Sequence, residues 1–347
     1  MREYSIGPIT GLLKPRYKVI TTILGENFIP DKGIDLFIDL NTLVSALSTS
    51  AKFLNSLPFS ENVEADIISS VLMVVKHWKD FLRKYEDSRI FLIVNDFDMA
   101  ALCEHEVFKS YLIPYVNKYQ NDRFSQLVYY WTESIKRIEI VLNYVPKTYC
   151  IRTNRFDSYV LPNIIDDYSN NGRHRLIITG NSLMTNYSYM PRTKVIYTKY
   201  KKTGMSQISD PLMIVQSIAK IDEDIMSTFV RNKVFYNLLN AIIGDFDRGI
   251  IGLNQLGISS FANDLLRSVE KHEIPNDPMN VESVLPAIQT QYHDYLRKSY
   301  SLVDIESHSQ LIQPSIIERT KSKLVDLYDL DGLRQLSVDG LNLIELI

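Results

Sequence analysis

Short apolar segments that end at a polar side chain recur along this chain, and they limit the folds open to it. Residues 34–39 read IDLFID and residues 89–96 read RIFLIVND, so each run ends in an aspartate. Apolar runs of this length, each bounded by helix-like spacing, predict buried β-strands. Residues 176–181 and 194–197 predict two more. Because helical segments separate the strands, the sequence predicts an α/β fold with a mostly parallel central sheet flanked by helices.

Helical spacing dominates the rest of the chain. Apolar residues recur at helical intervals over residues 64–85, residues 105–150 look helical and aromatic-rich, and another helix begins near Asp157. Beyond residue 210 the chain looks helical throughout, with its clearest break at residues 275–278, which read PNDP. We therefore expect an N-terminal extension (1–33), an α/β domain (34–209), a helical region (210–274) and a helical C-terminal extension (279–347).

The net charge and the cysteine content restrict the kinds of partner and cofactor that we expect. The formal net charge is −3, which argues against a general nucleic-acid coat because such binding depends on Lys and Arg neutralising phosphates. Basic side chains such as Lys109 and Lys118 still allow a local phosphate-binding surface. The two cysteines, Cys103 and Cys150, lack zinc-ligand spacing, so any bound metal should have oxygen ligands.

Targeting and membrane signals also bear on where the protein acts. No apolar run approaches the roughly 20 residues of a membrane helix, and residues 1–4 are not followed by the apolar core of a signal peptide. We expect a soluble, intracellular protein without a membrane partner. The Asn, Ile, Lys and Tyr content, including 21 tyrosines, suits an AT-rich viral genome, for which the location would be the host cytoplasm.

The aspartates that end the first two strands have two interpretations. Asp39 and Asp96 could each cap the helix that follows, as Asp often does. They could instead hold a hard cation, because ligands of α/β proteins bind at the carboxyl ends of the strands and Mg²⁺ and Mn²⁺ prefer oxygen ligands. Residues 244–257 read GDFDRGIIGLNQLG, and their glycines also have two interpretations. They could form a connector between helices or part of a binding turn.

Taken in order, these blocks resemble the flap endonuclease and phage or bacterial 5′-exonuclease family, which has a PIN-like α/β domain. The family's first strand ends in an Asp, matched by Asp39, and its second in Phe-Asp, matched loosely by Asn95-Asp96. The family's substrate-entrance segment is similar to Lys109 through Lys118. Its helix-hairpin-helix turn, whose backbone amides hold duplex phosphates, is similar to residues 244–257.

The resemblance implies a set of functional positions. The metal positions would be Asp39, Asp96, Asp157 and Asp245, and the nucleic-acid contacts would be Gly249, Gly252, Gly257, Lys109 and Lys118. The chain departs from the family's acidic pattern at five positions, which are Arg155, Ser158, Asn181, Leu183 and Arg248.

These departures remove most of the second metal position. A neutral amide, an alkyl chain and a guanidinium cannot replace three carboxylates, so a complete two-metal site cannot be assembled from these residues. One Mg²⁺ or Mn²⁺ remains compatible with Asp39, Asp96 and Asp157, and so does no metal at all. No catalytic residue is therefore assigned from the sequence.

Several functions follow from this mixture of matches and departures. The first is a degenerate flap-endonuclease-like protein that binds branched or duplex nucleic acid or partner proteins, with little or no nuclease activity. Nucleic-acid binding should be weak, because residues 258–260 read ISS where the family has Pro-Lys-Thr. The alternatives are an active metal-dependent 5′ nuclease with a reduced site, a scaffold of a viral assembly with a partner docked on residues 279–347, or an unrelated α/β protein.

Overall fold

A six-stranded β-sheet organises the part of the chain that the structure describes. The structure is a computed structural model, and it describes residues 33–40, 61–96, 133–142, 145–154, 158–169, 173–201, 204–208, 232–244 and 258–311. The strands are β1 (Ile34–Asp39), β2 (Arg89–Asp96), β3 (Thr148–Asn154), β4 (His174–Thr179), β5 (Thr193–Lys201) and β6 (Gly204–Ile208).

The order of the strands in the sheet is β3-β2-β1-β4-β5-β6, which places β1 at the centre. The first five strands run parallel, and β6 is antiparallel to β5. The predicted mostly parallel sheet is confirmed. Since all five parallel strands point the same way, their carboxyl ends form one edge at which ligand-binding residues can gather.

Helices pack on both faces of this sheet. The described helices are α1 (Glu61–Leu82), α2 (133–142), α3 (Leu161–Ser169), α4 (Lys233–Ile243), α5 (Ile258–Glu270), α6 (His293–Val303) and α7 (Ile305–Leu311). Short 3₁₀ helices include Ser158–Val160 and Ser182–Tyr189. Among the described residues, no helix has the length and apolar character needed to span a bilayer.

The alternation of side chains along β1 produces two hydrophobic layers. Ile34, Leu36 and Ile38 belong to a layer that includes Val75 and Trp78 of α1. Phe37 faces the opposite layer, which contains apolar residues of α3 and of the 3₁₀ helix Ser182–Tyr189. Because successive strand residues point to opposite faces, Asp35 and Asp39 share the face of Phe37.

The helices after residue 232 form a third apolar cluster that joins the C-terminal segment to the rest. Leu238 of α4, Phe261 of α5 and Leu296 of α6 are buried in it. Tyr159 donates its hydroxyl to the Leu302 carbonyl, and α7 contacts α3. The described part of the C-terminal extension is therefore packed against the α/β domain, while the four domain boundaries stay predictions.

The segment predicted as a linker is also held in place. Asn232 caps α4, since its Oδ1 accepts hydrogen bonds from the Val234 and Phe235 amides at 2.7 and 3.3 Å. Its Nδ2 donates to the Pro278 carbonyl at 3.2 Å and to the Asp277 carboxylate. Residues 277–278 therefore complete the start of α4 rather than crossing open solvent.

The prediction of helix through residue 150 was wrong at its end. The helix α2 is described to residue 142, and β3 begins at Thr148. Pro146 cannot donate to a helical hydrogen bond, and Lys147 has a φ of 59°, so a turn separates the two elements. The residues that follow, Thr148 through Ile151, are mostly β-branched or aromatic, which favours a strand.

Candidate metal and nucleic-acid site

Asp39 occupies the carboxyl end of the central strand and is fixed there by its neighbour β4. The residue is 3% exposed. Its Oδ2 accepts a hydrogen bond from Thr179 Oγ1 at 3.2 Å, and the same hydroxyl oxygen accepts the Asn181 amide hydrogen at 2.8 Å. The Thr179 hydroxyl therefore links the Asp39 carboxylate to the turn that follows β4.

Asn181, at a position where the resemblance predicts a metal-binding carboxylate, caps a 3₁₀ helix. The residue is 2% exposed, and its Oδ1 accepts the Leu183 amide hydrogen at 2.9 Å at the start of the 3₁₀ helix Ser182–Tyr189. Rotating the amide by 180° would set two N–H donors against each other, so the backbone fixes its orientation. The Nδ2 has no hydrogen-bond partner among the described residues. The side chain thus has a free N–H donor, which cannot bind a cation.

Leu183, at the second departure after β4, lies in the hydrophobic core. The residue is 1% exposed and packs in the layer that contains Phe37 and Ile177. A carboxylate at this place would be transferred from water into an apolar layer, which is unfavourable unless a cation or hydrogen-bond donors pair with it. This part of the edge is therefore apolar.

Ser158 is likewise buried. It begins the 3₁₀ helix Ser158–Val160 and is 2% exposed, and the next two residues, Tyr159 and Val160, belong to the same apolar layer as Leu183. The part of the site that follows β3 is therefore also formed by buried residues. The neighbouring positions Arg155 and Asp157 lie outside the described residues.

The backbone of Asp96 is not level with that of Asp39. Asp96 ends β2, but the residue of β2 paired with Asp39 is Ile93, three positions earlier. At about 3.3 Å per residue, Asp96 lies about 10 Å further along the strand direction. A shared cation would therefore require both side chains to reach across this offset.

Within the described ranges, no three His, Cys, Asp or Glu side chains gather as a metal-binding group. The described oxygen ligands at this edge are the Asp39 carboxylate and the Thr179 hydroxyl. A hard cation beside Asp39 would find no carboxylate at positions 181 and 183. The remaining predicted residues lie outside the described parts of the chain, namely Asp245, Arg248, Gly249, Gly252, Gly257, Lys109 and Lys118.

Thr179 is the site residue whose role the sequence did not reveal. It is the last residue of β4, at the end of a strand that the sequence predicts. Its contact with Asp39 joins residues 140 positions apart. The contact could be foreseen only with the strand order, which pairs β1 with β4.

The chain has a flap-endonuclease-like α/β fold. A bacteriophage T5 flap endonuclease, in a pseudo-enzyme–product complex with DNA and metal ions, is similar with a TM-score of 0.50 and 12% identity over 85% of this chain and 98% of that chain. The zinc-bound T5 5′-exonuclease has a TM-score of 0.49 and 12% identity, covering 85% and 99% of the two chains.

The similarity is one of fold, because the identity is low. No family model and no characterised protein sequence matches the chain. The structure similar at a TM-score of 0.50 therefore shows the architecture of this chain, whereas its activity has to be inferred from the chain's own residues.

Proposed function

We propose that this protein is a degenerate flap-endonuclease-like protein that binds branched or duplex nucleic acid and cleaves it slowly or not at all. The observation that carries the proposal is the pair Asn181 and Leu183. The first uses its oxygen to cap a 3₁₀ helix, and the second is buried in the core. Neither position supplies the negative charge that a second divalent cation needs.

Loss of the second cation has a large effect on phosphodiester cleavage. In two-metal sites the ions lie about 3.5–4 Å apart and stabilise the attacking and the leaving oxygen. Each ion contributes several kcal/mol of transition-state stabilisation, and about 1.4 kcal/mol corresponds to a tenfold change in rate. A chain limited to one ion, held by Asp39 with Asp96 and Asp157, should therefore be slower by several orders of magnitude.

Binding of nucleic acid does not depend on these carboxylates. Residues 244–257 resemble a helix-hairpin-helix turn, in which backbone N–H groups hold phosphate oxygens. Gly252 and Gly257 would allow the tight backbone path of that turn. Because the net charge is −3, the affinity should be low and should fall steeply with salt. The related T5 enzyme is described in complex with DNA, which supports this choice of ligand.

Binding to 5′-flap, nicked and linear duplex DNA at two salt concentrations tests the proposal. We expect the branched DNA to bind more tightly than the linear duplex at low salt, and the Gly252→Val and Gly257→Val variants to lose this affinity while keeping the wild-type circular dichroism. An exposed-lysine variant, Lys136→Met, is the control for a general loss of positive charge. Absence of binding at low salt would refute the nucleic-acid role and favour a scaffold that binds a protein partner through residues 279–347.

Two further parts of the proposal concern origin and location. The Asn, Ile, Lys and Tyr content supports a viral, AT-rich genome as the source, and a flap-endonuclease-like protein would then act in the cytoplasm of the host. Mass spectrometry of host cell fractions during infection would test this location.

A further inference from the structure

A cavity of about 400 Å³ opens at the amino end of the sheet, at the opposite end of the strands from Asp39. It lies between the last turns of α1, the first residues of β2 and the turn before β3. Leu82, Ile90 and Pro146 form apolar parts of its wall, and Lys79 and Arg83 contribute cations. Cavities that bind small molecules usually have volumes of about 300–1,000 Å³ and combine apolar walls with a few polar groups.

Lys79 is the cation of this cavity that lacks a partner. Its side chain is half-buried, and among the described residues its ammonium forms no ion pair or hydrogen bond. Burial is the main cause that lowers the pKa of Lys79, and the positive charge of Arg83, just after the end of α1, lowers it further, while the Asp80 carboxylate has a smaller, opposite effect. An unpaired and partly desolvated ammonium is unfavourable, and a bound anion would relieve the cost.

The other charged groups of the cavity do not provide a counter-ion for Lys79. Arg83 pairs with Asp80 at 3.3 Å, and Lys147 pairs with Asp87 at 2.7 Å. The Asp87 side chain is 74% exposed, so water screens its charge, and Glu86 is also exposed. Lys79 lies in the last turn of α1, where the helix dipole favours a cation. The dipole explains why a lysine is tolerated there, but it does not provide a counter-ion.

The residues that line the cavity indicate which kind of chemical group is attached to the anion. Tyr85 lines the cavity together with the apolar residues, and its ring is held between Phe81, with ring centroids 5.9 Å apart, and the Lys84 ammonium, 4.8 Å from the ring centre. A fixed aromatic ring and aliphatic walls suit an apolar or planar group, while Lys79 and Arg83 suit a phosphate. We propose that this cavity binds a phosphorylated small molecule of mononucleotide size, at a site separate from the Asp39 edge.

Isothermal titration calorimetry with adenosine monophosphate, adenosine and inorganic phosphate tests the proposal on the full chain. The Lys79→Met variant removes the unpaired charge, and Lys76→Met is the matched control, because Lys76 lies about one turn earlier on α1, is also half-buried and does not line the cavity. We expect the monophosphate to bind more tightly than either fragment. Lys79→Met should weaken its binding by about tenfold or more, whereas Lys76→Met should change it by less than about twofold.

A second measurement separates binding from folding. Because the Lys79 charge is unfavourably placed in the free protein, Lys79→Met should leave the thermal midpoint of the free protein unchanged or higher, while removing the increase that the monophosphate causes in the wild type. Failure of the wild type to bind the monophosphate at millimolar concentration would overturn the proposal. So would equal losses in the Lys79 and Lys76 variants, or a wild type that binds a 5′-phosphorylated oligonucleotide but not the monophosphate.

Discussion

Thr179 donates its hydroxyl hydrogen to Asp39 Oδ2 at 3.2 Å, joining the carboxyl ends of β4 and β1. The same oxygen accepts the Asn181 amide hydrogen, so one hydroxyl contacts both the Asp39 carboxylate and the turn that follows β4. A side chain of the neighbouring strand β4 thus helps to position the Asp39 carboxylate.

The first prediction concerns this hydroxyl. Thr179→Val preserves the shape of the side chain but leaves the buried Asn181 amide and the Asp39 carboxylate without this partner. We expect a loss of about 1–3 kcal/mol in the free energy of unfolding, measured with urea. Thr193→Val, which removes a hydroxyl that donates to the Pro191 carbonyl at 3.1 Å, is the control and should cost less. Equal costs would contradict a linking role for Thr179.

The second prediction concerns Leu183. Restoring a carboxylate with Leu183→Asp should destabilise the protein by about 3 kcal/mol or more at neutral pH, because the charge would be buried in the apolar layer. The cost should fall as the carboxyl group is protonated at low pH, whereas that of the Leu183→Asn control should not. If instead Leu183→Asp is tolerated and Mg²⁺ stabilises it, the position has kept its capacity for metal.

A third prediction concerns the buried ion cluster at the amino end of the sheet. Asp35 accepts hydrogen bonds from Arg89 Nε and Arg173 Nε, both at 2.8 Å, and the three side chains are at most 8% exposed. Asp35→Asn would leave two buried guanidinium groups without their counter-ion. We expect destabilisation of about 3–5 kcal/mol by urea unfolding.

Asp87→Asn is the matched control for the ion cluster. It breaks a pair with Lys147 in which both side chains are more than half exposed, so it should change stability little. A small effect of Asp35→Asn, similar to that of the control, would show that the cluster does not hold β1 and β2 to the segment before β4.

The fourth prediction is a pH dependence of the C-terminal packing. Burial alone would raise the pKa of Asp304, but hydrogen bonds from Ser307 and the nearby Lys233 ammonium outweigh it and lower the pKa below its ordinary 3.8. Asp304 also accepts a hydrogen bond from the buried Asn237 amide at 2.9 Å. Its contribution to stability is therefore full above about pH 4 and is lost as the pH falls through the lowered folded-state value.

Comparison with Asp304→Asn measures this contribution. The difference in unfolding free energy between the wild type and the variant should be largest near pH 5–6 and should shrink as the pH is lowered toward 2–3. Hydrogen exchange of α6 and α7 should rise over the same interval in the wild type. A difference that stays constant with pH would show that the charge of Asp304 does not stabilise the packing.

The main features of the sheet could be predicted from the sequence because β1, β2, β4 and β5 each contain a short run of apolar residues. β3 was missed, since its seven residues include Arg152 and follow a helical segment with the same aromatic content. The packing of residues 293–311 on the α/β domain could not be predicted from the sequence either. It depends on single long-range contacts, such as Tyr159 with the Leu302 carbonyl.

The candidate site was predicted only in part for a related reason. The departures at Asn181 and Leu183 were visible from a family resemblance, but their new roles as a cap and as a core residue depend on three-dimensional packing. The unpaired Lys79 gave no signal, because a lysine near the end of a helix usually lies in solvent. Its environment is set by the turn at residues 146–147, which is distant in the sequence.

Single-turnover cleavage of a labelled 5′-flap DNA, with excess protein and either Mg²⁺ or Mn²⁺, tests the central claim most directly. Binding should be followed in the same samples by fluorescence anisotropy. We predict that the DNA is bound at low salt and remains intact, or is cut so slowly that Asp39→Asn changes the rate little. Rapid, metal-dependent cleavage that is abolished by Asp39→Asn and by Asp96→Asn would contradict the account and establish an active nuclease with a reduced metal site.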